Sequence, residues 1–92
     1  MTILSEKNFT FYQIDNENIS LFKCADGSLS DFHCFALCKC AEAIAQKDTV
    51  LVNNRVWWDD GNNRKSLYMT TNGILVYEDV TNNKLYRIEF NK

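Results

Sequence analysis

Five side chains in the first half of the chain carry ligand or nucleophile chemistry: Cys24, His33, Cys34, Cys38 and Cys40. Thiolates and imidazoles are the usual donors of a tetrahedral zinc site, and a thiol beside an imidazole is a usual activated nucleophile. Spacing decides against both. Cys34 and Cys38 lie four apart and share one side of a helix, whereas His33 and Cys40 point about a right angle away at ~100° per residue. No CxxC knuckle occurs. His33 is the sole histidine, and its neighbour Cys34 projects from a different side of the helix. Four-apart helical residues hold their Cβ atoms roughly 5–6 Å apart, beyond the ~3.5–4.5 Å of a disulfide. The thiols therefore read as reduced, small apolar fillers, and His33 as a half-buried residue with a hydrogen-bond partner. The three glycines all fall in turns rather than in a phosphate-binding loop. No catalytic residue, metal or cofactor is expected.

Aromatic residues carry the stronger signal. Six phenylalanines, four tyrosines and two tryptophans are more rings than one thin core of a 92-residue chain is expected to absorb. Phe32 and Phe35 fall on the polar side of the helix with Asp31, Lys39, Glu42 and Gln46. Either they form an exposed patch rimmed by Lys39 and Asp31, or the strand Phe9–Ile14 or the long loop covers them in a second small core. Trp57 and Trp58 are neighbours in a strand and must face opposite sides. One enters the core; the other is covered by a loop or meets a partner, a setting in which tryptophan is over-represented. Asp59-Asp60, followed by Gly61-Asn62-Asn63-Arg64-Lys65, reads as a bipolar loop that can face a charged surface.

These residues must be positioned by one helix and several short strands. Asp26-Gly27 is a turn signal, after which Ser28 is placed to cap a helix start with Asp31 three residues later. Across 28–47, Leu29, His33, Leu37, Cys40 and Ile44 form a stripe, broadened by Cys34, Cys38, Ala41 and Ala45. Elsewhere, Asn53-Asn54, Asn72-Gly73 and Asn82-Asn83 each separate two apolar runs and suit two-residue hairpins. Asp15-Asn16-Glu17-Asn18 separates the runs Phe9–Ile14 and Ile19–Cys24. A two-residue turn at Asn72-Gly73 pairs Tyr68 with Tyr77, and one at Asn82-Asn83 pairs Tyr77 with Ile88 and Glu78 with Arg87. Tyr68, Leu75, Tyr77, Tyr86, Ile88 and Phe90 then share an apolar face, opposite Glu78, Arg87 and Glu89. The expected fold is a single α+β domain over 1–92. One amphipathic helix packs on a twisted antiparallel sheet of five or more strands, in the order strand, strand, helix, then a meander.

Charge and composition narrow the function classes. Apolar residues at 46%, spread along the length, argue against disorder. No run approaches the ~20 residues of a membrane span, and the first residues lack the basic start and apolar stretch of a signal peptide. A cytoplasmic location without membrane association is expected. A net charge of −2 with scattered basic residues argues against direct nucleic-acid binding, which needs a basic stripe.

The stretch from Cys40 through Val50, Cys-Ala-Glu-Ala-Ile-Ala-Gln-Lys-Asp-Thr-Val, is similar to a helix-into-strand passage in an acidic anti-CRISPR family that blocks DNA access to a Cascade-type complex. The small, acidic, Asn-rich, single-domain character resembles phage-encoded anti-CRISPR proteins generally. The dense acidic surface of that family has no counterpart here. The resemblance implies a mode: a compact inhibitor that occupies a protein or nucleoprotein surface and catalyses nothing. The expected contact residues are Phe32, Phe35 and Lys39 on the helix, with Trp57, Asp59 and Asp60 from the sheet edge and loop. A homodimer joined by the same aromatics, or an immunity-type accessory protein, is the alternative.

Overall fold

Four hairpins in the described residues each turn on a residue at positive φ, Asn53, Gly61, Gly73 or Asn83, and these turns order the sheet. The computed structural model describes residues 8–27 and 29–91. Strand β1 (Phe9–Gln13) is followed by a short 3₁₀ helix (Asn16–Leu21) and helix α1 (Asp31–Ala45). Strands β2 (Val50–Val52), β3 (Arg55–Asp60), β4 (Asn63–Met69), β5 (Leu75–Asp79) and β6 (Lys84–Phe90) complete the chain. The six strands form one antiparallel sheet in the order β1-β6-β5-β4-β3-β2. The expected α+β class and the meander after the helix are present. The second expected strand is not, so the order runs strand, helix, meander.

That strand is replaced by the 3₁₀ helix because the polar run after β1 closes on itself: Asn18 N donates to the Asp15 carbonyl (2.9 Å). With three residues per turn, Ile19 and Phe22 come to one side, packing with Cys24 against buried Ile14, Tyr68, Val76 and Leu85. The Tyr68 hydroxyl donates to the Phe22 carbonyl (2.8 Å). A second small core does exist, therefore, but on the sheet face away from α1, and it holds neither Phe32 nor Phe35.

The main core lies between α1 and the other face. Leu37 and Ala41 are fully enclosed there with Val56 and Leu67, joined by Cys40, Trp58, Leu75 and Ile88. Small side chains on the helix stripe bring its backbone close to the sheet. Helix α1 starts later than expected. Ser30 is the N-cap, its hydroxyl accepting from His33 N (3.3 Å), and Ser28 lies outside the described residues. His33 therefore falls in the first turn, where its ring meets the Ser30 hydroxyl (Nδ1 to Oγ 2.7 Å) and is exposed, not half-buried as the stripe implied. The helix ends in a left-handed Gln46 (φ 59°), whose amide closes onto Glu42 O (2.8 Å).

Two hairpin registers differ from expectation. Thr71-Asn72-Gly73 is a three-residue loop: Thr70 N donates to Ile74 O (2.8 Å), and Gly73 alone of the three takes positive φ, at 83°. This is the arrangement of a three-residue loop ending in a left-handed glycine. The slip of one residue pairs Tyr68 with Val76 and Leu67 with Tyr77 and turns β4 over, since strand side chains alternate. Tyr68 therefore belongs to the face away from the helix. At the next hairpin, 80–83 form a four-residue loop, with Asp79 opposite Lys84. That shift of two residues preserves the faces, so Leu75, Tyr77, Tyr86, Ile88 and Phe90 do share one. It moves Glu78 opposite Leu85, however, and Glu78 pairs instead with Arg55 (2.9 Å). The expected loop over 59–65 is also absent. Gly61 (φ 62°) allows a two-residue turn with Asp60 opposite Asn63, so Asp59 and Asp60 end β3 and Arg64 and Lys65 belong to β4. The Asn53-Asn54 hairpin has the expected register, Val50 opposite Trp57. No helix among the described residues is long and apolar enough to cross a membrane.

Candidate binding surface

Helix α1 presents its outer face to solvent along its first half. Phe32 is 75% exposed and Phe35 62%, and no element among the described residues covers either. Burying a phenylalanine is worth about 1.5–3 kcal/mol, and that stabilisation is largely unrealised at both positions. The Lys39 ammonium sits 5.4 Å from the Phe35 ring centre and 3.7 Å from the Glu42 carboxylate. The Phe32 ring meets the His33 ring edge-on at 5.8 Å. The result is two protruding rings with a cation beside one, an imidazole beside the other and acidic neighbours at the margin.

Trp57 does not join this patch. It faces the same way as its cross-strand partners Val50 and Ser66, on the side of the sheet away from α1, whereas Trp58 is buried under the helix. Two guanidinium groups flank the half-buried Trp57 ring: Arg55 at 5.6 Å and Arg64 at 5.9 Å from its centre. Arg55 also covers Tyr68 at 4.3 Å. Val50 and Val52 extend this area along the exposed edge strand. Asp59 lies on the Trp57 side, 3.7 Å from Arg64, and its carbonyl accepts from the Lys47 ammonium (2.6 Å). Asp60 lies on the helix side. The six expected contact residues therefore do not form one patch: Phe32, Phe35 and Lys39 are together on the helix, Trp57 and Asp59 lie on the far side of the sheet, and Asp60 is on the helix side beside the C-terminal end of α1.

The cysteines are all free. Burial, then the neighbouring Cys34 and Glu42, pushes the Cys38 thiol above its ordinary value, and burial alone does so for Cys40. A raised value keeps both thiols protonated at neutral pH, whereas a nucleophile acts as the thiolate. Among the described residues, no three His, Cys, Asp or Glu side chains come together as a metal site.

One cluster gave no signal in the sequence. Lys65 and Asp79, each 8% exposed, pair at 3.1 Å beneath Tyr77. Burial pulls the Lys65 ammonium down, but the Tyr77 hydroxyl and the Asp79 carboxylate outweigh it and hold it above the ordinary lysine value. The Asn82 side-chain amide, donating to Asp79 Oδ2 at 2.8 Å, is the main cause that keeps the Asp79 carboxyl below the usual range, and Lys65 adds to it. The residues are fourteen apart, and only the true β4–β5 register sets them opposite each other.

Comparison of the chain with protein-family models, curated proteins and solved structures gives no match.

Proposed function

We propose that this chain is a non-enzymatic binding protein that engages a protein or nucleoprotein partner through the outer face of α1, with Phe32 and Phe35 as anchors. The observation that carries this reading is their exposure, 75% and 62%, side by side on a helix otherwise well packed. Aromatic rings set among charges are the usual anchors of protein contacts. Lys39, held beside Phe35, supplies orientation and steering. The mode is that of the inhibitors the chain resembles, occupancy of a partner surface without turnover, and a host defence complex is the class of target that follows. The Trp57 side, with its paired arginines, is a separate surface.

Capture from the native host tests this reading. The parent retains a partner that Phe32→Ala/Phe35→Ala loses while keeping its fold. A folded double variant that recovers the same partner as the parent refutes it. Light scattering adds a second outcome: a dimer that turns monomeric on Phe35→Asp would reassign the face to self-association.

A further inference from the structure

At the C-terminal end of α1, on the helix-covered side of the sheet, a cleft of about 380 Å³ opens. Its volume falls within the range of small-ligand sites, roughly 300–1,000 Å³. Four strands each contribute one ring to its walls: Phe11, Trp58, Tyr77 and Tyr86. Tyr77 is the hub. Phe11 meets it edge-on at 5.4 Å, Trp58 stacks at 6.0 Å, and Tyr86 tilts against it at 5.7 Å. The Lys65–Asp79 pair also lines the cleft, Asp60 contributes its carboxylate, and the helix end at Ile44–Gln46 completes the lining.

The charges in this cleft do not cancel. Lys65 is paired with Asp79, and Asp79 also accepts from Asn82, so together they contribute no net charge. Asp60 has no ion-pair partner among the described residues. The carbonyl end of α1 adds a partial negative charge of its own. Aromatic ring faces are electron-rich and attract cations. These three features favour a cation and oppose an anion. A purely apolar ligand would use the rings and leave Asp60 unused.

We propose that this cleft binds an organic ammonium or guanidinium group, its alkyl stem lying along the rings and its charge directed to Asp60. The ligand is either a free small amine or an arginine or lysine side chain of a partner. This site lies at the opposite end of α1 from Phe32 and stands independently of the helix-face reading.

The test is an amide NMR titration of the intact chain, following the Trp58 indole and the Tyr77 amide. The probes are choline, its neutral isostere 3,3-dimethylbutanol, agmatine and an arginine-containing tripeptide. A cation probe should shift both signals saturably, with 3,3-dimethylbutanol at least about fivefold weaker than choline. Asp60→Asn, at an exposed position, should weaken the cations about fivefold, the factor for one unit charge at ~4 Å in water. Tyr86→Leu should weaken them about two- to fivefold. Tripeptide binding more than about tenfold tighter than agmatine assigns a partner side chain, and equal or weaker binding assigns a free amine. The proposal is overturned by no saturable shift with any cation probe up to about 10 mM. It is equally overturned if the isostere binds as well as choline, or if a folded Asp60→Asn variant keeps full affinity.

Discussion

Removing Asp79 should cost more stability than removing its partner Lys65. Both side chains are about nine-tenths enclosed, at 10% and 11% exposure. Breaking a buried pair costs about 3–5 kcal/mol, and the lower figure applies to Asp79→Ala because the pair borders an open cleft. That variant strands the Lys65 ammonium under Tyr77 and also removes the acceptor of the Asn82 amide N–H and side chain, 3.2 and 2.8 Å away. Lys65→Met leaves Asp79 with both Asn82 bonds, and hydrogen bonds to a charged group are worth about 1.5–3 kcal/mol. It should therefore cost about 1–2 kcal/mol, the part Lys65 alone supplied. Lys65→Met/Asp79→Ala buries no charge and should fall within about 1 kcal/mol of Lys65→Met, well short of additivity. Against a total of about 5–14 kcal/mol for a domain of this length, the 3 kcal/mol loss is easily measured. Urea unfolding followed by tryptophan fluorescence, with Asn82→Ala as control for the turn, gives all the terms. Equal costs for the two single variants, or strict additivity in the double, would show that Lys65 and Asp79 are not coupled as a buried pair.

Further outcomes follow from the same geometry. Leu37→Ala, at a fully enclosed position, should lose about 2–5 kcal/mol, whereas Phe35→Ala should stay within about 0.5 kcal/mol; urea midpoints compare them. Gly73→Ala should cost about 1 kcal/mol from backbone conformation alone, since φ is 83° and no atom lies within 4 Å of the added Cβ. Because the folded Asp79 carboxyl is held low, its contribution is full above the ordinary carboxylate pKa of ~3.9 and is lost as pH falls through the folded value. Asp79→Asn should flatten that part of an acid-unfolding profile. Lys65 has the opposite sign: its contribution is full below the ordinary lysine value and fades as alkaline pH rises through its raised one, a loss that Lys65→Met should abolish.

The legible parts of this chain were those governed by period and by local chemistry. The helix stripe through Leu37, Cys40 and Ala41 follows from side-chain spacing, as does the outward placing of Phe32 and Phe35. Val50 opposite Trp57 follows from a short turn with one workable length. Loop length at 71–73 and 80–83 was not legible. Asn-Gly suits a two-residue turn, but the Thr70–Ile74 pairing needs three, and that extra residue turned β4 over. The same slip concealed Lys65 opposite Asp79, and with it the floor of the aromatic cleft. Ile19–Cys24 is too short for strand alternation to be told from three-residue spacing, which is why the sequence pattern suggests a strand where the 3₁₀ helix stands. Alternation places Trp57 and Trp58 on opposite faces but does not say which of them faces α1, so the separation of Trp57 from the helix patch has no signal in the sequence.

Contact between a partner and the outer face of α1 can be trapped with a photo-reactive phenylalanine analogue placed at position 35 or at position 57 and irradiated in the native host. A covalent partner adduct is expected from position 35 and none from position 57. Adducts from position 57 alone, with the position-35 protein folded and unreacted, would contradict it.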